Sequence, residues 1–489
     1  MMNIMNPPAD WSTLKKLLWL RGNPATGGSA KHYVARWDMV ENTLTRMESA
    51  ADITTTTTNF CHLGSVNQNY NNPFDSIYPW KDRKLCNISI DAYRGLTAGA
   101  SLKNCVTHWE GEAGFSYSDP AGVWVYTPPF SGRTWDDGTY RYFDVVSSKN
   151  QYDGFVYYPE SMTGRWFGAD VMLTIDGASK HCNLPIVGMP MANVPLTNQQ
   201  TYANNYGATL NDIYTLDATY LLFIVEYANM NLQLSIGNGV SDLYAQGLHP
   251  VADVTDSTTI TLSGLTDAQK ACFIPNAIVD IGTSDGGNQT ARTYIVSAVT
   301  ADTMTTVTLA DAVTCDTSAY VSVHGLINIA DADIGSHSGY IGTNSKANAY
   351  YRGETFYANK FQYVLGAYRQ TGTGKIWIAG KGETDKYNAL DTAKHSDTGI
   401  ALATTSGYIK SLATYTGLCV PPFVTETGGN STMPVGDYLY VPALSAGNTV
   451  LLLGGNAGNG TGCGLYGNWH YPAGYSNWNY GSHPRLKTP

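Results

Sequence analysis

The sequence predicts an α+β protein built from several units, on three observations. Short runs of alternating apolar and polar residues, separated by turn residues, recur through 61–180 and 245–325. Helical spacing of apolar residues occurs near the N-terminus and again between 197 and 234. The 489 residues also exceed what one hydrophobic core ordinarily organises, so about two to four units are expected. The expected divisions are an N-terminal helical attachment region at 1–60, a β-rich domain at 61–130 and a C-terminal domain at 131–489. A small all-β barrel or sandwich at 245–325 interrupts the last of these.

Taken in order, 11–18 and 33–47 carry helical spacing, the second through Val34, Trp37, Val40, Leu44 and Met47. The run Thr54 to Thr58 breaks helicity and reads as a linker. Strands are expected at 123–126, 143–146, 155–158 and 171–175, then helices at 197–205 and about 218–234. Five alternating segments follow at 259–262, 277–281, 294–296, 307–309 and 320–323, with turns such as Ser284-Asp285-Gly286-Gly287 between them. The surrounding pattern resumes at about Ile327, which marks 245–325 as an insertion at a loop tip. Beyond Tyr351-Arg352-Gly353-Glu354 and 358–364, a Gly-rich, strand-poor stretch is expected to about 445. Long irregular connections of that kind belong to folds that hold binding sites in loops.

Composition narrows the function. Charged residues make up 14%, aromatics 12%, and the net charge is −10. No basic stripe exists to match phosphates, which argues against a nucleic-acid partner. The eight cysteines form no CxxC pair and match no zinc spacing, so free, buried thiols are expected. No stretch has the length and apolarity of a membrane span, and the N-terminus lacks the apolar run of a secretory signal. Membrane insertion is therefore not expected, and assembly in a reducing cytoplasm is. Gly454-Gly455 and the glycines at 458–462 lack the GK[ST] of a phosphate loop. Asp331 and Asp333 suit a Ca²⁺ loop less well than a solvated one. Cys463 has no visible acid or base around it, so no catalytic residue, metal or cofactor is assigned. Glu226, alone on an apolar run, is expected to bond backbone or Arg352.

The most informative stretch is 464–483, GLYGNWHYPAGYSNWNYGSH, which contains no Asp, Glu, Lys or Arg. Tyr and Trp give large rigid contact area at low entropy cost, while Ser, Asn and Gly adapt their hydrogen bonds, as in antibody paratopes. Asn, Tyr, His and Ser are also related by single changes in the first two bases of one codon, so their mixture suits variation at a few positions. The ligand-binding residues expected here are Tyr466, Asn468, His470, Tyr471, Tyr475, Ser476, Asn477, Asn479, Tyr480, Ser482 and His483. Tyr471, Tyr475 and Tyr480 should be exposed, with Trp469 and Trp478 partly buried beneath them. The competing reading is a Gly-rich aromatic tail packed under loops.

Three motifs occur in the order found in one family. FIVEYA at 223–228, YANKFQY at 357–363 and LGGN at 453–456 followed by Pro484-Arg485-Leu486 resemble segments of C-type lectin folds of the formylglycine-generating-enzyme type. Ala358 stands where the family has glycine. Within that superfamily the chain resembles the variable proteins of diversity-generating retroelements, in particular phage tropism determinants. NPFDSIYPW at 72–80 and VWVYTPPF at 123–130 resemble the domain that precedes the lectin fold in such proteins. The resemblance implies a C-type lectin-like fold over 131–489 less the insertion. It further implies a virion (tail) receptor-binding protein whose variable window binds a bacterial surface receptor, protein or glycan. A homotrimer and attachment to other phage tail proteins through the N-terminal region are implied as well. The family's oxidase branch needs two nearby cysteines and copper, which Cys463 with the distant Cys419 does not supply. A structural virion fibre or decoration protein, a cell-surface ligand-binding variable protein and a glycan-active tail enzyme remain alternatives.

Overall fold

β-Branched and aromatic residues in short alternating runs pair into sheets along most of the chain. The computed structural model describes residues 30–53, 72–330, 332, 345–355, 357–420, 423–432, 434–441, 443, 447–465 and 471–488. Strand covers 42% and helix 14%, so the fold is mainly β and the α+β expectation is corrected. Among the described residues the helices are few, and only Ile213–Tyr227 exceeds ten residues.

One sheet has five strands in the order Thr43–Glu48, His32–Asp38, Tyr140–Val146, Phe130–Asp136 and Val156–Tyr158. The first two replace the helix expected at 33–47. The spacing that suggests a helix is the mirror symmetry of a hairpin, because Val34 pairs with Met47 and Trp37 with Leu44 across the turn. Val40, which would complete a helical stripe, is an exposed turn residue instead. Asp38 closes that turn by accepting from the Val40 and Glu41 amides. The helical spacing at 11–18 and the linker at 54–58 lie outside the described residues.

A second sheet has six strands in the order Thr209–Leu210, Pro484–Leu486, Ser161–Gly164, Trp124–Thr127, Lys84–Ile88 and Val106–Trp109. The chain's last strand thus lies inside a sheet otherwise built before residue 211. Together the two sheets join strands from both sides of the expected boundaries at 60 and 130.

The five segments expected in 245–325 all lie within strands of a separate six-stranded antiparallel sheet. Its order is Tyr244–Leu248, Tyr320–Leu326, Ala277–Ser284, Gly287–Ala301, Met304–Cys315 and Val254–Ser263. Its first and last strands in sequence are neighbours, so entry and exit lie side by side. It has its own hydrophobic cluster, including Ile260, Val279, Ile281, Val307 and Val323.

The helix Ile213–Tyr227 is mostly apolar and buried at every position but Tyr214, and its two buried carboxylates, Asp217 and Glu226, both have hydrogen-bond partners. Asp212 caps it by accepting from the Thr215 amide at 2.8 Å and holds Arg485 of the terminal strand, also at 2.8 Å. The helix ends earlier than expected, at Ala228 in the left-handed conformation, and a short helix Leu232–Ile236 follows. Glu226 pairs with Arg352 through two bonds of 2.8 and 2.7 Å, as expected, and also accepts from Asn72 and Tyr351. Three separate motifs therefore meet at one buried carboxylate.

The stretch to 445 is not strand-poor. Phe361–Arg369 is the hub of another sheet with Thr449–Leu453, Lys375–Ile378, Ser396–Ala401 and a parallel bridge to Tyr480–Gly481. Gly407–Ala413, Phe423–Thr427 and Tyr438–Leu439 form a further sheet. Their strands are short and interrupted by glycine, which hid their alternation.

Candidate functional site

The stretch 471–483 runs between two fixed strands, Thr449–Leu453 before it and Pro484–Leu486 after it. Its main chain is held at every second carbonyl. Val450 N donates to Tyr471 O at 3.2 Å, Leu196 N to Ala473 O at 3.1 Å and the Tyr363 hydroxyl to Tyr475 O at 2.7 Å. Asn193 N donates to Asn477 O at 3.0 Å, and Phe361 N to Asn479 O at 2.8 Å. An irregular loop thereby gains the backbone satisfaction of a strand without being one.

The side chains divide into two sets. Tyr475 is 36% exposed and Ser476 is exposed beside it, with Tyr471, Asn477 and Asn479 half-buried. The Tyr471 and Tyr475 rings stack at 4.1 Å with planes 10° apart. Tyr480 was expected at the surface and is only 2% exposed, so that assignment is corrected. It fills the space between Phe361, Tyr363 and the Tyr471–Tyr475 stack, and burial pushes its hydroxyl pKa far up.

Ser482 and His483 are also fully buried and cannot contact a ligand as the sequence reading expected. His483 Nδ1 lies 3.0 Å from the Gly164 carbonyl, and its ring packs on Phe167. Burial pulls its pKa down to about 4, so it is neutral near pH 7. Tyr466, Asn468, Trp469 and His470 lie outside the described residues.

Trp478 is buried, and residues that no sequence signal marked hold it there. It stacks on His324 and on Tyr244, both in the 244–326 sheet, and the Lys360 ammonium sits 4.9 Å from its ring centroid. His324 Nδ1 lies 3.0 Å from Asp280, with Arg292 3.4 Å from the same carboxylate. Lys360 donates to the His324 carbonyl at 3.1 Å, and burial holds its pKa well below the usual lysine range. Asn359 fastens the same strand by both ends of its amide, at 2.9 and 3.0 Å to Leu326. Ala358 and Asn359 both have φ of +65°, which explains why glycine would suit position 358.

Residues 471–479 contain no Cys, His, Lys, Arg, Asp or Glu. Cys463 is fully buried and donates to the Asn456 carbonyl, and burial pushes its thiol well above the ordinary range. Among the described residues, no group of three His, Cys, Asp or Glu is placed to hold a metal ion. Asp331 and Asp333 lie outside them. No described helix is long and apolar enough to cross a membrane. What the arrangement offers is uncharged recognition through aromatic faces, hydroxyls and amides. No family model and no curated protein matches the chain.

Proposed function

We propose that this chain is a receptor-binding protein of a phage virion that docks a bacterial surface receptor through Tyr475, Ser476 and the half-buried Tyr471, Asn477 and Asn479. One observation carries the reading. The carbonyls of 471, 473, 475, 477 and 479 are held by three separate segments, 193–196, 361–363 and Val450, while Pro472, Tyr475 and Ser476 stay exposed. Such a loop tolerates exchange of its outward side chains without moving its backbone, which is what a diversified recognition surface requires. The resemblance to variable proteins of diversity-generating retroelements supports the same reading. The buried Trp478, Tyr480, Ser482 and His483 belong to the support and not to the contact surface. A homotrimer attached to the tail through its N-terminal region would multiply weak contacts by avidity.

The test is adsorption of labelled protein to a panel of bacterial strains, comparing the native chain with a Tyr475→Ala, Ser476→Ala, Asn479→Ala variant. Binding to a susceptible strain should fall about tenfold or more, as loss of one central aromatic contact costs roughly 2 kcal/mol. Unchanged adsorption by a folded variant would overturn the reading in favour of a structural virion component.

A further inference from the structure

A second place on the molecule has the chemistry of a binding site. It is an open groove of about 350 Å³ where the N-terminal hairpin meets the sheet of Gly407–Ala413 and Phe423–Thr427. That volume lies in the range of small-ligand sites. Its lining includes Trp37, Met39 and Leu412, together with Asn42, whose amide oxygen accepts from the Trp37 indole at 2.8 Å, and Ser411, whose hydroxyl donates to Glu426 at 3.3 Å.

Arg141 lines the groove beside Trp37, its cross-strand neighbour, with the guanidinium 5.6 Å from the indole centroid. Asp136 takes its Nε and Nη2 at 2.7 and 2.9 Å. Nη1 is buried and has no hydrogen-bond partner among the described residues, although the side chain is only 8% exposed. A buried donor left unmatched is costly, and an arriving acceptor removes that cost. Lys410 also lines the groove and is exposed, and among the described residues it pairs with the exposed Glu426 at 3.2 Å.

We propose that this groove binds a carboxylate-bearing sugar residue. The Arg141 Nη1 and the Lys410 ammonium take the carboxylate, the indole and its apolar neighbours take the ring's C–H face, and the free Asn42 amide N–H groups and the Ser411 oxygen lone pairs meet hydroxyls. A neutral sugar leaves the guanidinium donor unmatched. A simple carboxylate leaves the apolar lining bare. The groove lies apart in sequence from the 471–479 surface, and the proposal does not rest on how that surface is used.

The experiment is calorimetric titration of the full chain with glucuronate, using glucose and acetate as controls. Glucuronate should bind saturably, and both controls about tenfold more weakly or not at all. Lys410→Ala, an exposed change that spares the fold, and Arg141→Gln should each weaken glucuronate binding by about tenfold. Tyr475→Ala should leave it unchanged. Absence of saturable glucuronate binding overturns the proposal, as does glucose or acetate binding equally well. Unchanged affinity in Lys410→Ala overturns it also if Arg141→Gln does not fold.

Discussion

The Trp478 indole lies over the His324 imidazole with ring centroids 4.1 Å apart and planes 13° apart. Trp478 comes from the aromatic C-terminal stretch and His324 from the strand Tyr320–Leu326, so the six-stranded sheet supports the candidate recognition loop directly. Trp478→Ala should cost roughly 3–5 kcal/mol, because it removes a large buried ring and uncovers Lys360 and His324. Chemical denaturation measures this, and a loss under about 1 kcal/mol would show that the sheet does not carry the loop.

The neighbouring tyrosines should separate cleanly. Tyr480→Ala removes a buried ring from a packed aromatic group and should cost roughly 3–5 kcal/mol. Tyr475→Ala removes an exposed ring stacked on Tyr471 and should cost under about 1 kcal/mol. Equal losses in melting experiments would contradict the division between support and contact surface.

The buried ion pair of Glu226 and Arg352 makes a third test. Glu226→Leu or Arg352→Met alone leaves a buried charge without its main partner and should cost roughly 3–5 kcal/mol. The double variant should cost clearly less than the sum of the two, because neither charge remains uncompensated. Strict additivity in the double-mutant cycle would show that the pair is not coupled.

Two buried groups should drive stability in opposite directions with pH. Burial pushes the Asp217 carboxyl up to about 6 against bonds from Tyr158 and the amides of Cys419 and Val420. Between its ordinary value of 3.8 and about 6, the folded chain keeps a proton that the unfolded chain has lost, so this contribution falls as pH rises. His483 behaves inversely. Folded, it stays neutral down to about 4, whereas unfolded it protonates below 6.5, so its contribution is lost as pH falls through that window. Urea denaturation at pH 4, 5, 6 and 7 should give Asp217→Asn a steeper rise of stability with pH than the native chain. His483→Asn should give a shallower one. Slopes of the opposite sign in either variant would refute the assignment.

Much of the local structure was legible because its signals are local. The strands of 245–325 announce themselves by period-two alternation between turn residues. Glu226 on an apolar run demanded a partner, and Arg352 is that partner. What the sequence could not settle was everything that depends on which distant segment arrives alongside. The spacing of Val34, Trp37, Leu44 and Met47 fits a helix or a mirrored hairpin, and pairing with Tyr140–Val146 selected the hairpin. Tyr475 and Tyr480 have the same chemistry and nearly the same neighbours in sequence. Tertiary structure alone decided that one faces solvent while Phe361 and Tyr363 enclose the other, since an irregular loop has no period from which burial can be read.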